Sequence, residues 1–183
     1  IKSLPLGITR LTIKWIFILC HRLIAHSKYT HDQIVENYSI PPAKVTVISL
    51  RNVMASASRQ TEIGKARRIL NLPEHTPAIL FFGTIRSNKG LHILLDAMKI
   101  VISEICDCTL VIAGELERNT SFKEYQSHIS DLELDHHVIC RNEYIADDMV
   151  AEYFCASDVV ALPYLQVYQS AVVHLAYAFK RPV

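Results

Sequence analysis

Three residues pose the first chemical question: Gly83, Arg86 and Lys89, in the run Phe81-Phe82-Gly83-Thr84-Ile85-Arg86-Ser87-Asn88-Lys89-Gly90. The apolar stretch Ala78 to Phe82 ends in this glycine turn, and the turn carries two cations. Leu91, Leu94, Leu95, Met98, Val101 and Ile102 then recur at helical spacing. A buried strand, a glycine turn and a helix start bring unpaired backbone N–H groups and the positive end of a helix dipole to one point. A guanidinium and an ammonium added there make an anion receptor, and phosphate or diphosphate is the anion that suits it. The plain alternative is a solvated turn whose cations do nothing specific. The agreement of strand, glycine and helix signals favours the anion site.

These residues need a scaffold, and the hydrophobic pattern describes one. Helical spacing predicts helices over about 8–19, 30–38, 61–70, 89–104, 121–132, 147–155 and 170–179. Short apolar runs predict strands at 23–26, 45–48, 78–82, 109–113, 137–140 and 159–162. Pro41-Pro42, Pro73 and Pro77 act as breakers, and the polar stretch Asn52 to Gln60 reads as a linker. Strands alternating with amphipathic helices give an α/β fold of βαβ units with a parallel sheet buried on both faces. The segment 1–51 holds only two predicted strands. The chain begins at Ile1 without methionine and stops at Arg181-Pro182-Val183, where another strand is expected. An incomplete chain, inactive by itself, is the expectation.

The 183 residues are 50% hydrophobic and 20% charged, with a formal net charge of +1. This is globular composition with material for a core. Near-neutral charge argues against nucleic acid as a partner, which needs a basic surface. The five cysteines, Cys20, Cys106, Cys108, Cys140 and Cys155, show no zinc-site or CxxC spacing, and ordinary thiols in a reducing cytoplasm fit them. The nine histidines include no HExxH pattern, so no metal is expected. His136-His137, His26 and His31 lack enough converging ligands, and His174 reads as a packed helix residue. The apolar run Ile13 to Cys20 is too short to span a bilayer. Residues 1–31 hold Lys2, Arg10, Lys14, Arg22 and Lys28 and no acid. A helix carrying Arg10, Lys14 and His21 beside Trp15, Ile16 and Ile18 could lie on an anionic membrane surface. Phe17 interrupts that stripe, which favours docking on another part of the protein instead.

The order of motifs resembles a known family. Gly83…Lys89-Gly90, Leu94-Leu95-Asp96-Ala97, Leu110-Val111-Ile112-Ala113-Gly114, Ala156-Ser157-Asp158-Val159-Val160, Leu162-Pro163-Tyr164 and Ala176-Tyr177-Ala178-Phe179…Pro182-Val183 look like group 1, family 4 glycosyltransferases. The resemblance covers roughly residues 60–183 and implies a GT-B fold, two Rossmann-like domains facing a cleft. Residues 1–52 would be the end of the N-terminal, acceptor-binding domain, and residues 53–183 most of the C-terminal, donor-binding domain. It implies transfer of a sugar from a nucleotide-diphosphate sugar, with retention at the anomeric carbon and without metal. The acceptor would be a glycan or a lipid-linked molecule.

The resemblance also distributes roles. Lys89 matches the family lysine that grips the donor diphosphate, and Arg86 matches the arginine of a subfamily with an Ile-Arg-x-x-Lys-Gly turn. Gln169-Ser170-Ala171-Val172 resembles a Gln-Ser-Gly-Val loop of a subfamily. As a predicted helix start, Gln169, Ser170 and Ala171 would add N–H donors, a hydroxyl and an amide to the same diphosphate. Ser170 is equally an N-cap, and the two roles can coexist. Glu115 would border the cleft and touch donor hydroxyls, or be an exposed loop acid. Tyr144 and Ile145 stand where the family contacts the nucleotide base, or Ile145 is simply core. Asp147 reads as an N-cap and Asp158 as structural.

Several departures accompany the match. The family's E-x7-E glutamates fall on Val167 and Leu175, the turn near the hinge is Ile48-Ser49-Leu50-Arg51-Asn52, and Lys180-Arg181 precedes the final Pro-Val. The catalytic residues are therefore unassigned. A nucleotide-sugar binder without activity and a sugar-nucleotide epimerase-like enzyme stay open as alternatives. An NAD-dependent dehydrogenase is disfavoured, because no GxGxxG follows a strand.

Overall fold

The structure is a computed structural model that describes residues 6–49, 61–118, 121–165 and 170–183. The predicted linker 52–60, Val167 and Gln169 lie outside the described residues, as do Leu50 and Arg51 of the hinge turn. The chain divides into two compact units, Ile1–Arg51 and Asn52–Val183.

In the first unit, α1 (Leu6–Leu19) precedes β1 (Leu23–Ala25), α2 (Lys28–Tyr38) and β2 (Val45–Val47), and the two strands pair in parallel. Ser27 caps α2, its hydroxyl accepting from the Thr30 N–H at 3.1 Å. Ser39 ends the helix in the left-handed conformation before Pro41-Pro42. Ala25, Ile40 and Val45 form a small core, with Phe17 set edge-on to Tyr38. The first strand stops at Ala25 rather than at the predicted His26, whose ring bonds the Ile48 carbonyl.

The second unit contains α3 (Ile63–Leu70), β3 (Ala78–Phe82), α4 (Leu91–Glu104), β4 (Thr109–Ala113) and α5 (Lys123–Asp131). It continues with β5 (Val138–Arg141), α6 (Asp147–Ala156), β6 (Val159–Val160) and α7 (Ala171–Ala178). Four strands make an all-parallel sheet in the order β5-β4-β3-β6. Alternate side chains serve opposite faces. Leu80, Phe82, Val111 and Ala113 pack with residues of α3, α6 and α7, while Phe81, Leu110 and Ile112 pack with residues of α4 and α5. Burial on both faces is why β3, and β4 after Thr109, read as apolar runs.

Arg67 ties the first of these layers together. It is 4% exposed and donates to Ala156 O at 3.0 Å, Glu74 O at 2.6 Å and Asp158 Oδ2 at 2.8 Å. Asp158 also accepts the Ala78 N–H at 2.7 Å, so its role at the entry to β6 is structural, as the sequence suggests. Asp147 is not an N-cap. Ala146 holds that place with extended backbone, and Asp147 is the first residue of α6, where its charge meets the positive helix end.

Candidate functional site

The strand order has a switch point. From β3 the chain proceeds to β4 on one side, and β6 returns to the other. Parallel α/β sheets bind ligands outside the carboxyl ends of their strands at such a point. Here it gathers the turn after β3, which holds Gly83 to Lys89, and the segment after β6, which leads through Tyr164 to α7.

The turn after β3 is held in place by its own pairing. Ile85 is fully buried, donates to Glu115 O at 2.8 Å and accepts from Glu117 N at 3.0 Å. The loops after β3 and β4 thus stay paired beyond the strands. Gly83 has φ +97°, and a β-carbon built there would lie 3.0 Å from Lys89 Nζ and 3.8 Å from Val172 Cγ2. Lys89 therefore folds back over Gly83 beside the first turn of α7, bringing Gly83, Lys89 and the start of that helix together.

Lys89 is not the first residue of α4, as the pattern predicts. It closes a 3-10 turn over Ser87–Lys89, and Gly90, at φ +71°, separates that turn from the helix. The N–H groups of Lys89 and Gly90 are used inside the turn, donating to Arg86 O and Ser87 O. The Pro163 carbonyl approaches so closely that a β-carbon on Gly90 would lie 3.0 Å from the Pro163 carbonyl carbon. The backbone donors expected at the start of α4 are thus partly consumed, and the positive charge of the turn rests on side chains. Lys89 Nζ is 5.4 Å from the centre of the Tyr164 ring. Burial, and then the nearby charge of Arg86, hold the Lys89 ammonium below its usual range. Arg86 is half-exposed, and its Nε lies 3.4 Å from Glu117 Oε1. It is close enough to act on Lys89 electrostatically.

Ser170 occupies the N-cap of α7 but makes no side-chain capping bond. Its hydroxyl sits 3.2 Å from Tyr164 Oη. Ala171 is the first residue of α7, so Ser170 and Ala171 stand on the helix start as expected. Burial raises the Tyr164 phenol above its ordinary pKa, and the bond to Ser170 opposes that shift in smaller measure. Leu175, where a family glutamate would fall, packs against the core instead.

On the other side of Gly83, a pocket of about 130 Å³ opens between the ends of β3, β4 and β5. Phe82, Gly83, Thr84, Gly114, Glu115, Tyr144 and Ile145 line it. Glu115, Tyr144 and Ile145, widely separated in sequence, meet here. Ile145 packs on the core, as one of its two sequence readings has it, and it also lines this pocket. Among the described residues, no three His, Cys, Asp or Glu side chains could hold a metal ion. Sequence reasoning missed Thr84, Gly114, Val172 and above all Tyr164 as site residues. The available signal for Tyr164 was an aromatic directly after Pro163 at the carboxyl end of a strand.

Residues 76–183, more than half of the chain, match the family model described as glycosyl transferases group 1. D-inositol 3-phosphate glycosyltransferase of Corynebacterium aurimucosum is 26% identical over 148 residues, covering 77% of this chain and 34% of that protein. Sucrose-phosphate synthase of Thermosynechococcus elongatus superposes with a TM-score of 0.80 at 19% identity, over 96% of this chain and 43% of its own. Anabaena HepE, solved with UDP and glucose, gives 0.77 at 20% identity, over 98% of this chain and 48% of its own. The chain thus spans between 34% and 48% of the length of these proteins. Their parallel α/β architecture is the one found here, that of GT-B glycosyltransferases, and the chain belongs to the group 1 glycosyltransferase family.

Proposed function

We propose that the intact protein transfers a sugar from a nucleotide-diphosphate sugar to an acceptor, with retention of configuration and without a metal cofactor. The observation that carries this is the placement of Lys89 Nζ over Gly83, beside Val172 and Tyr164, at the switch point of the sheet. Breaking a glycosidic bond to a nucleoside diphosphate leaves negative charge on the departing phosphates. Fixed cations and oriented N–H groups stabilise that charge. Lys89 supplies the nearest cation, Arg86 a second one, and the first turn of α7 at Ser170 and Ala171 supplies N–H donors; Gln169 belongs to the same assignment. The adjoining pocket at Glu115, Tyr144 and Ile145 takes the base or the sugar of the donor. Likeness to a protein solved with UDP and glucose supports this class of donor. Retention rests on the family resemblance.

The test is Lys89→Ala, alone and with Arg86→Ala, in the intact protein. The expected result is at least a tenfold loss of nucleotide-sugar affinity, the size of a charge-assisted bond of about 1.5–3 kcal/mol. Unchanged affinity refutes the assignment. Turnover that survives EDTA, and a product with the donor's anomeric configuration by NMR, are the companion results; loss of turnover to EDTA or an inverted product rejects those two parts.

The acceptor is a glycan or a lipid-linked molecule, and the setting is the cytoplasm; peripheral contact with the inner membrane face is the second reading, beside docking of α1 on another part of the intact protein. The support is α1, which exposes Leu11, Trp15, Ile18 and Leu19 in a segment with several cations and no acid. Such a helix suits an anionic bilayer surface. No described helix is long and apolar enough to cross a membrane. Sedimentation with vesicles of anionic lipid, absent with neutral ones, is expected; no lipid dependence refutes membrane contact.

A further inference from the structure

We propose that Tyr164 is a positioning residue of this donor site: its ring and its hydroxyl together hold the Lys89 ammonium over Gly83 and against the start of α7. The inference rests on the donor-site reading above and extends it to a residue outside the diphosphate contacts.

A lysine side chain on a turn has much rotamer freedom, and ordering it on a ligand costs conformational entropy. A site that fixes the ammonium beforehand avoids that cost when the donor binds. Here three contacts do the fixing. The Tyr164 ring lies 5.4 Å from Lys89 Nζ, within cation–π range. The Tyr164 hydroxyl lies 3.2 Å from Ser170 Oγ, which fixes the far end of the ring to the start of α7. The Leu165 N–H donates to Asn88 O at 2.9 Å, which joins the backbone after Tyr164 to the turn that carries Lys89. The small spacing between the Pro163 carbonyl and Gly90 closes the same seam.

Tyrosine suits this place because one face must attract a cation while the tip bonds a hydroxyl. Phenylalanine would keep the first contact and lose the second. Leucine would lose both. The arrangement also engages the Ser170 hydroxyl, which makes no capping bond to its own helix.

The experiment is a thermodynamic cycle on the intact protein, by titration calorimetry. The probe is whichever of UDP, GDP and ADP the wild type binds most tightly, with its parent nucleoside as control. Tyr164→Leu is expected to weaken the diphosphate roughly 5- to 30-fold, the span of a partly desolvated cation–π contact. Tyr164→Phe should weaken it less than Tyr164→Leu does, by about 2- to 12-fold, the span of one neutral hydrogen bond. In a Lys89→Ala background, Tyr164→Leu should add less than about 2-fold, because its partner is already gone. Nucleoside affinity should stay constant in every variant.

Undiminished diphosphate binding by Tyr164→Leu overturns the inference. So does an equal loss with and without Lys89, which would mean that Tyr164 acts independently of it. A parallel loss of nucleoside binding assigns Tyr164 a general structural role and overturns it as well. If Lys89→Ala itself leaves diphosphate affinity untouched, the donor site fails first, and that result is separate from the other three.

Discussion

Gly114 is where the loops after β3 and β4 come closest, and it offers the sharpest test of how the pocket is built. Gly114 has φ +148°, and a β-carbon there would overlap the Gly83 carbonyl oxygen and lie 2.6 Å from the Gly83 carbonyl carbon. Ordinary contact begins near 3.4 Å, so Gly114→Ala leaves a shortfall of about 0.8 Å at the carbonyl carbon and a larger one at its oxygen. The obstacle is backbone, not the free end of a side chain, so the two loops must part. The bonds at risk are Gly83 N–H to Ala113 O at 2.9 Å and Ile85 N–H to Glu115 O at 2.8 Å. Each is worth about 0.5–1.5 kcal/mol, and the unfavourable φ of alanine adds about 1–3 kcal/mol. The expected loss is about 3 kcal/mol, a large share of the 5–15 kcal/mol typical of a folded domain. The assay is amide hydrogen exchange of the segment 78–86 in the intact protein, with nucleotide-sugar titration alongside. Exchange of the Gly83 and Ile85 amides should accelerate by about two orders of magnitude, and affinity should fall because both glycines line the pocket. Gly64→Ala is the control. Its β-carbon, in helix α3, would have Arg68 Nη1 and Glu74 Oε1 as its nearest neighbours, both at 3.6 Å, so it should be neutral or stabilising by up to about 1 kcal/mol. Wild-type exchange and wild-type affinity in Gly114→Ala would refute the close approach of the two loops.

Three further outcomes follow from the same structure. Arg67→Ala should destabilise by about 3 kcal/mol, read as a lower urea midpoint at unchanged slope; the lower end of the buried-pair range applies because Asp158 is half-exposed. Diphosphate affinity should fall as pH rises through the Lys89 pKa, because only the ammonium attracts the anion. Burial and Arg86 depress that pKa, so the fall starts below the usual lysine range, and Lys89→Arg, which stays charged, should abolish that limb in a pH titration of affinity. Among the thiols, exposed Cys106 should alkylate first, while Cys140, pushed up to about 11 by burial, should lag by orders of magnitude at pH 8 in a timed maleimide reaction followed by mass spectrometry.

The parallel α/β sheet was legible in the amino-acid pattern alone, because a strand buried on both faces must be largely apolar, and 78–82 and 110–113 read that way residue for residue. The sequence also marked Gly83 and Lys89, because a glycine after a buried strand and a cation before a helix are local signals. Helix edges were less legible: α4 starts at Leu91 rather than 89, because the positive φ of Gly90 interrupts the pattern without changing its hydrophobic period. The departure of Asp147 from the cap had no signal at all, since Ala146 takes that place through backbone conformation alone. Which distant residues share a surface was settled by the packing of the folded chain. Glu115, Tyr144 and Ile145 meet at one pocket because β3, β4 and β5 lie side by side, and strand order is not written in any local spacing. Tyr164 reaches Lys89 for the same reason: β6 returns beside β3, and a pairing between segments so far apart in the chain is settled by how the layers pack.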